Sequence, residues 1–192
     1  MEADWEIEVG GEAPVIDALW PGFTDLRLHP ERARQLPETA QFPALAAALA
    51  KLNADASPVW TSKCDFWPVL EPGEFDPDEL DAPSGCAAYA TGCYIDLLPR
   101  GDERWTGPAL AADACKQLCG LLRAVRLHCC RVDLVIRRAI IVPNRMDLGM
   151  TAYLTACGLS ATEATQRLQA ALTAFADVIC SHSTLQWEST GE

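Results

Sequence analysis

Two neighbouring segments near the C-terminus alternate between apolar and polar side chains, and that period constrains what they can become. From Arg131 to Val142, Val132, Leu134, Ile136 and Ile140 share one phase, while Arg131, Asp133 and Arg137 share the other. After the turn Pro143-Asn144-Arg145-Met146, the stretch Asp147 to Cys157 does the same. Leu148, Met150, Ala152, Leu154 and Ala156 oppose Asp147, Gly149, Thr151, Tyr153 and Thr155. Successive side chains of a strand point to opposite faces, so a period of two marks a strand with one buried face. The pair therefore predicts an antiparallel sheet, packed on one side and polar on the other.

The remaining segments read as shorter elements around that pair. Trp5 to Val9 is expected as an edge strand and Pro14 to Leu19 as a second short strand. Trp20 to Gln41 is rich in proline and charge and is expected to be irregular, with one helical turn at Glu31 to Leu36. Pro43 suits the first residue of a helix, whose stripe is Leu45, Leu49 and Leu52. Pro58 to Val69 is expected as a strand with Trp60, Ser62, Cys64 and Phe66 on one side and Thr61, Lys63 and Asp65 on the other. An acidic, proline-rich loop from Glu71 to Gly85 precedes the next strand, Ala87 to Leu98. There Cys93, Ile95 and Leu97 face in and Tyr94 and Asp96 face out. Pro99-Arg100-Gly101-Asp102 is turn chemistry. Pro108 to Val125 carries a helical stripe of Ala111, Cys115, Leu118, Leu122 and Val125. The last helix opens at Ser160 with Glu163 three residues on, the pattern of a capping box. Its stripe is Ala164, Leu168, Leu172, Phe175 and Ile179.

The order is β-β-α-β-β-α-β-β-α. It predicts an α+β fold, a mostly antiparallel sheet with three helices packed on one face. Residues 1–182 are expected to form a single domain, and 183–192 a polar C-terminal tail. The repeated ββα units have no residue-level repeat behind them. This order of elements is similar to that of ferredoxin-like domains and of the duplicated, GyrI-like ligand-binding domains, a resemblance that implies an arrangement of elements and no activity.

Composition narrows the partners. The formal net charge of −12 argues against nucleic acid and anionic membrane surfaces, both of which need clustered Lys and Arg. The first residues, Met1-Glu2-Ala3-Asp4-Trp5-Glu6, are acidic where a secretory signal would be basic and then apolar. No apolar run approaches the roughly 18 residues that span a bilayer. A cytoplasmic location is the expectation. Nine cysteines, an odd number scattered along the chain, then read as reduced thiols rather than a disulfide framework.

The polar sheet face is the candidate working surface. Its outward residues would be Thr61, Lys63 and Asp65, then Tyr94 and Asp96, then Arg131, Asp133 and Arg137, then Thr151, Tyr153 and Thr155. Cross-strand neighbours lie about 5 Å apart, so these groups can converge into one patch. Two uses follow. The first is non-enzymatic: an assembly or binding module whose face forms a homodimer or docks a protein partner. The second is a small-molecule-binding protein or enzyme, with Arg131, Arg137 and Lys63 holding a polar or anionic ligand and Asp65 or Asp133 accepting a proton.

Other features weigh less. Cys115, Cys119, His128, Cys129 and Cys130 have zinc-compatible chemistry, but Cys115 lies on an apolar helical stripe, and Cys129 and Cys130 should point to opposite faces, so no metal is expected. None of His29, His128 and His182 forms a recognisable signature with a cysteine, which leaves no basis for a catalytic thiol. The acidic loop lacks the spacing of a calcium loop. No phosphate-binding glycine loop or nucleophile elbow occurs, and no cofactor is implied. Trp20-Pro21 and Trp67-Pro68 place aromatic rings at strand edges, where such rings either line a pocket for a planar ligand or, more often, seal the ends of a core.

Overall fold

The computed structural model describes residues 1–181, apart from 12, 19, 71–74, 84, 101–104, 106 and 144 and the side chains of 68 and 69. The expected tail 183–192, His182, the first part of the acidic loop, and Gly101 and Asp102 of the turn after Pro99 lie outside the described residues.

Alternation becomes a six-stranded mixed sheet with three helices. The strands are β1 (Glu2–Glu8), β2 (Ile16–Asp17), β3 (Val59–Leu70), β4 (Tyr89–Pro99), β5 (Cys130–Val142) and β6 (Arg145–Gly158). The helices are α1 (Pro43–Leu52), α2 (Pro108–Ala124) and α3 (Ala161–Ser181). The helical turn expected near Glu31 is a 3-10 turn, Pro30–Gln35. Strand order is β1-β5-β6-β4-β3, antiparallel except at β1 and β2, which both run parallel to β5 along its outer edge. The first ββα unit is thus no hairpin like β3–β4 or β5–β6. Two short strands lie end to end on one neighbour, and the apparent repetition of units stops there. The likeness to ferredoxin-like and GyrI-like domains remains one of element order.

All three helices cover the same face. Leu45, Leu49 and Leu52 of α1, Leu118 and Leu122 of α2, and Leu168, Leu172 and Phe175 of α3 join Ile95, Leu97, Leu134, Ile136, Ala152 and Leu154 in the principal core. The α3 start is capped much as its sequence predicts. Ser160 Oγ accepts the Glu163 amide at 3.2 Å, and a Glu163 carboxylate oxygen accepts the Leu159 amide at 2.8 Å, one residue before the cap.

The opposite face is less open than the alternation predicts. At one end Ile16, Ala18 and Phe23 pack over Trp60, Leu98 and Ala139. At the other, Leu80 and Phe75 pack over Leu70, Ala90, Cys129 and Cys157. The described residues leave only the middle of the sheet uncovered.

Strand β3 departs from simple alternation. Thr61 pairs with Leu97 and Cys64 with Ile95, with a register shift between them. The extra residue reverses the phase. Trp60 therefore lies on the side away from the helices, buried under the N-terminal segment. Thr61, expected outward, is 4% exposed on the helix side, where Asn53 at the end of α1 donates to its Oγ at 2.7 Å and accepts its amide hydrogen at 3.1 Å.

Candidate functional site

The uncovered floor is built by cross-strand register. Asp65 pairs with Tyr94, Tyr94 with Tyr153, and Tyr153 with Asp133. One step along, Asp96 pairs with Thr151, and Arg137 lies opposite Gly149. The structure thus brings Asp65, Tyr94, Asp96, Arg131, Asp133, Arg137, Thr151 and Tyr153 to one face. Lys63 sits in the bulge, its ammonium 5.7 Å from the Trp20 ring centre and its charge acting on Asp96.

Two arginines anticipated as anion contacts are already engaged. Arg131 Nε donates to both Asp133 carboxylate oxygens at 2.7 and 2.9 Å. Arg137 donates through Nε to Glu8 at 2.9 Å and through Nη1 to the Tyr153 hydroxyl at 2.8 Å. Burial acts against the Arg137 charge, but the bonds to Tyr153 and Glu8 outweigh it and hold the guanidinium above its ordinary value. These charge-assisted contacts leave few donors for an incoming anion.

Of the carboxylates that occupy them, Asp133 was expected on this face, whereas Glu8 and Asp4 were not. Glu2-Ala3-Asp4-Trp5-Glu6-Ile7-Glu8 alternates, with Ala3 and Trp5 packed into the principal core. Glu2, Asp4, Glu6 and Glu8 therefore fall in the phase of Arg131, Asp133, Val135 and Arg137, their register partners. The signal was present but began earlier than the strand expected at Trp5. A recess of about 190 Å³ opens at this edge beside Asp4, Glu6, Arg131 and Asp133.

Asp96 is the buried carboxyl of the floor, 5% exposed. Its oxygen accepts the Thr151 hydroxyl at 2.6 Å. Burial raises its pKa, while the Thr151 bond and the charges of Lys63 and Arg137 pull the other way and offset only part of the rise. Asp133 is also raised by burial, against the opposing effect of Arg131. Asp65, anticipated as a proton acceptor, is exposed and accepts the Phe66 amide at 2.8 Å.

Beside these groups lies an aromatic cluster. The Tyr94 and Tyr153 rings are 6.0 Å apart, and Trp67 is 6.4 Å from each. Trp67 rests on Gly92, where an added Cβ would come within 2.6 Å of the indole nitrogen. Burial, with Asp96 and Asp65 nearby, pushes the Tyr94 hydroxyl up to about 12.

The cysteines are free thiols among the described residues. Burial pushes Cys64, Cys115 and Cys157 up to about 12 and Cys119 and Cys130 up to about 11, so the nucleophilic thiolate is scarce near neutral pH. Cys129 and Cys130 do face opposite sides of the sheet, in separate apolar clusters. Among the described residues, no three His, Cys, Asp or Glu side chains are grouped to hold a metal ion, and no helix is long and apolar enough to cross a membrane.

No family model, no curated protein and no solved structure matches this chain.

Proposed function

We propose that the chain is a small-molecule-binding protein whose ligand, an organic cation with a flat body, lies on the uncovered middle of the sheet. The observation that carries this reading is the surplus of carboxylates on the face that carries the Trp67–Tyr94–Tyr153 cluster. In the uncovered stretch Glu2, Asp4, Glu6, Glu8, Asp65, Asp96 and Asp133 share a side with Lys63, Arg131 and Arg137. Aromatic faces and unbalanced carboxylates both attract a positive charge, and the rings add apolar contact.

Size supports a ligand over a protein partner. Five strands at about 4.8 Å spacing give a floor about 19 Å wide. Between the covered positions Ala90 and Leu98, about 17 Å of strand remains after the packing thickness of each cover is removed. The resulting area, roughly 300 Å², falls well short of the ~800 Å² per partner typical of stable interfaces.

The test compares aromatic amines with carboxylic acids of the same body, tryptamine against indole-3-propionate, by thermal shift and tryptophan fluorescence. Tryptamine should stabilise the protein, and Asp65→Asn and Tyr94→Leu should each weaken its binding. Equal or tighter binding of the acid, or no response to either, would sink the proposal. Light scattering of the double variant Arg131→Ala, Arg137→Ala adds a second arm. A wild-type dimer that this variant dissolves with its fold retained would move the conclusion to assembly through the same face.

A further inference from the structure

A separate cavity of about 180 Å³ opens at the outer edge of β3, and the side chain that forms its wall is held in place by local chemistry. Trp20-Pro21-Gly22-Phe23 is a turn closed by the Phe23 amide donating to the Trp20 carbonyl at 3.0 Å. Gly22 has φ +99°, and a Cβ there would come within 2.8 Å of the Trp20 ring. The indole therefore folds back onto backbone that only glycine leaves bare. In that position Trp20 Nε1 is buried, and among the described residues no atom accepts its hydrogen. A buried donor without an acceptor is rare enough in proteins to need a reason.

The other lining groups supply one. Leu26, Leu36 and Leu49 form an apolar wall. Lys63 and Glu38 contribute one charge of each sign, and neither is in an ion pair among the described residues. The two hydroxyls on β3 are committed elsewhere, Thr61 to Asn53 and Ser62 to the Asp17 carbonyl at 2.9 Å. The polar groups left for a ligand are thus the Lys63 ammonium, the Thr24 hydroxyl and the Glu38 carboxylate, with the buried indole N–H of the lining Trp20 behind them. A simple anion would meet Glu38 and a simple amine would meet Lys63.

We propose that this cavity binds a small zwitterion of the aliphatic α-amino-acid type. Its carboxylate would lie at Lys63 and the Trp20 N–H, its ammonium at Glu38, and its side chain on the leucine wall. The volume is of the right order, because an apolar cavity of roughly 150 Å³ takes up the six heavy atoms of benzene, so this one of about 180 Å³ holds about seven and leaves the rest of the ligand at its open mouth. The site shares Lys63 with the sheet-face reading, but each is tested with its own ligand and its own variants, so either can fail alone.

Calorimetry on the full chain tests it with leucine, 4-methylpentanoate (leucine without its ammonium) and 3-methylbutylamine (leucine without its carboxylate). Leucine should bind, and each analogue should bind at least tenfold more weakly. Trp20→Phe keeps the ring and deletes the N–H, and should cost about tenfold. Glu38→Gln, at a half-buried side chain away from the core, should do the same and stands in if the tryptophan variant does not fold. No heat at about 10 mM leucine, well above a weak Kd of about 1 mM, overturns the proposal. So does equal binding of either analogue, or undiminished leucine binding by Glu38→Gln.

Discussion

The two faces of this sheet are built from the same strands, residue by residue in alternation, yet different forces hold them. On the helix side Leu134, Ile136, Ala152 and Leu154 are fully buried against apolar stripes from three helices. On the other side the middle of each strand carries charge, hydroxyl or aromatic groups tied into the Arg137–Glu8–Tyr153 and Asp96–Thr151 contacts. The first face is stabilised by area removed from water, which has no sign and little pH dependence. The second is held by directional contacts to ionised groups, whose strength follows protonation and partner geometry. A face that retains a buried carboxyl of raised pKa where apolar packing was available one residue away is the one to examine for binding.

That contrast can be broken most severely on the helix side. Leu134→Ala leaves a cavity in the principal core and should cost about 2–5 kcal/mol in urea unfolding, nearly the same at every pH in the native range. A cost below about 1 kcal/mol would mean the helix face is not the principal source of stability. On the polar side, Gly92→Ala drives a methyl group against the Trp67 indole and should cost about 1–3 kcal/mol. It should also shift tryptophan emission to longer wavelength as the ring lifts, and an unchanged spectrum would show that Trp67 does not rest there.

The smallest effect is the most diagnostic. Because the Asp96 pKa is raised in the folded protein, its carboxyl still holds a proton where the unfolded chain has released one. Folding then takes up a proton, so this group's contribution to stability falls as pH rises from the ordinary 3.8 to the raised folded value, and is level above it. Asp96→Asn removes that slope. The wild type should lose stability relative to the variant as pH climbs through this window, and a difference constant with pH would show that Asp96 titrates normally. Asp25 provides the opposite control. Its bond from Arg27 outweighs burial and lowers its pKa, so its contribution is present above 3.8 and lost as pH falls below it.

Much of this architecture was legible in the chain. The alternations of β5 and β6 and the stripes of α2 and α3 fixed which side chains would be buried, since one period can satisfy one face only. Tyr94, Asp96, Arg131, Asp133, Arg137, Thr151 and Tyr153 were placed on the polar phase by the same rule. Thr61 was misplaced because a bulge inserts one residue and reverses every side chain beyond it, and nothing in Thr61-Ser62-Lys63 announces it. The role of Arg131 and Arg137 was also misread. Their availability depended on Glu8, Asp4 and Asp133, and the first two reach them only through a parallel pairing more than a hundred residues away in sequence.

The sequence by itself determined the elements, their phases except in β3, and the burial of the helix face, because period and polarity act over a few residues. Tertiary structure alone decided that β1 and β2 lie along β5, that two segments close the ends of the opposite face, and that a void remains beside Trp20. Those outcomes depend on which distant segments meet and how much area each covers, and no local pattern encodes that choice.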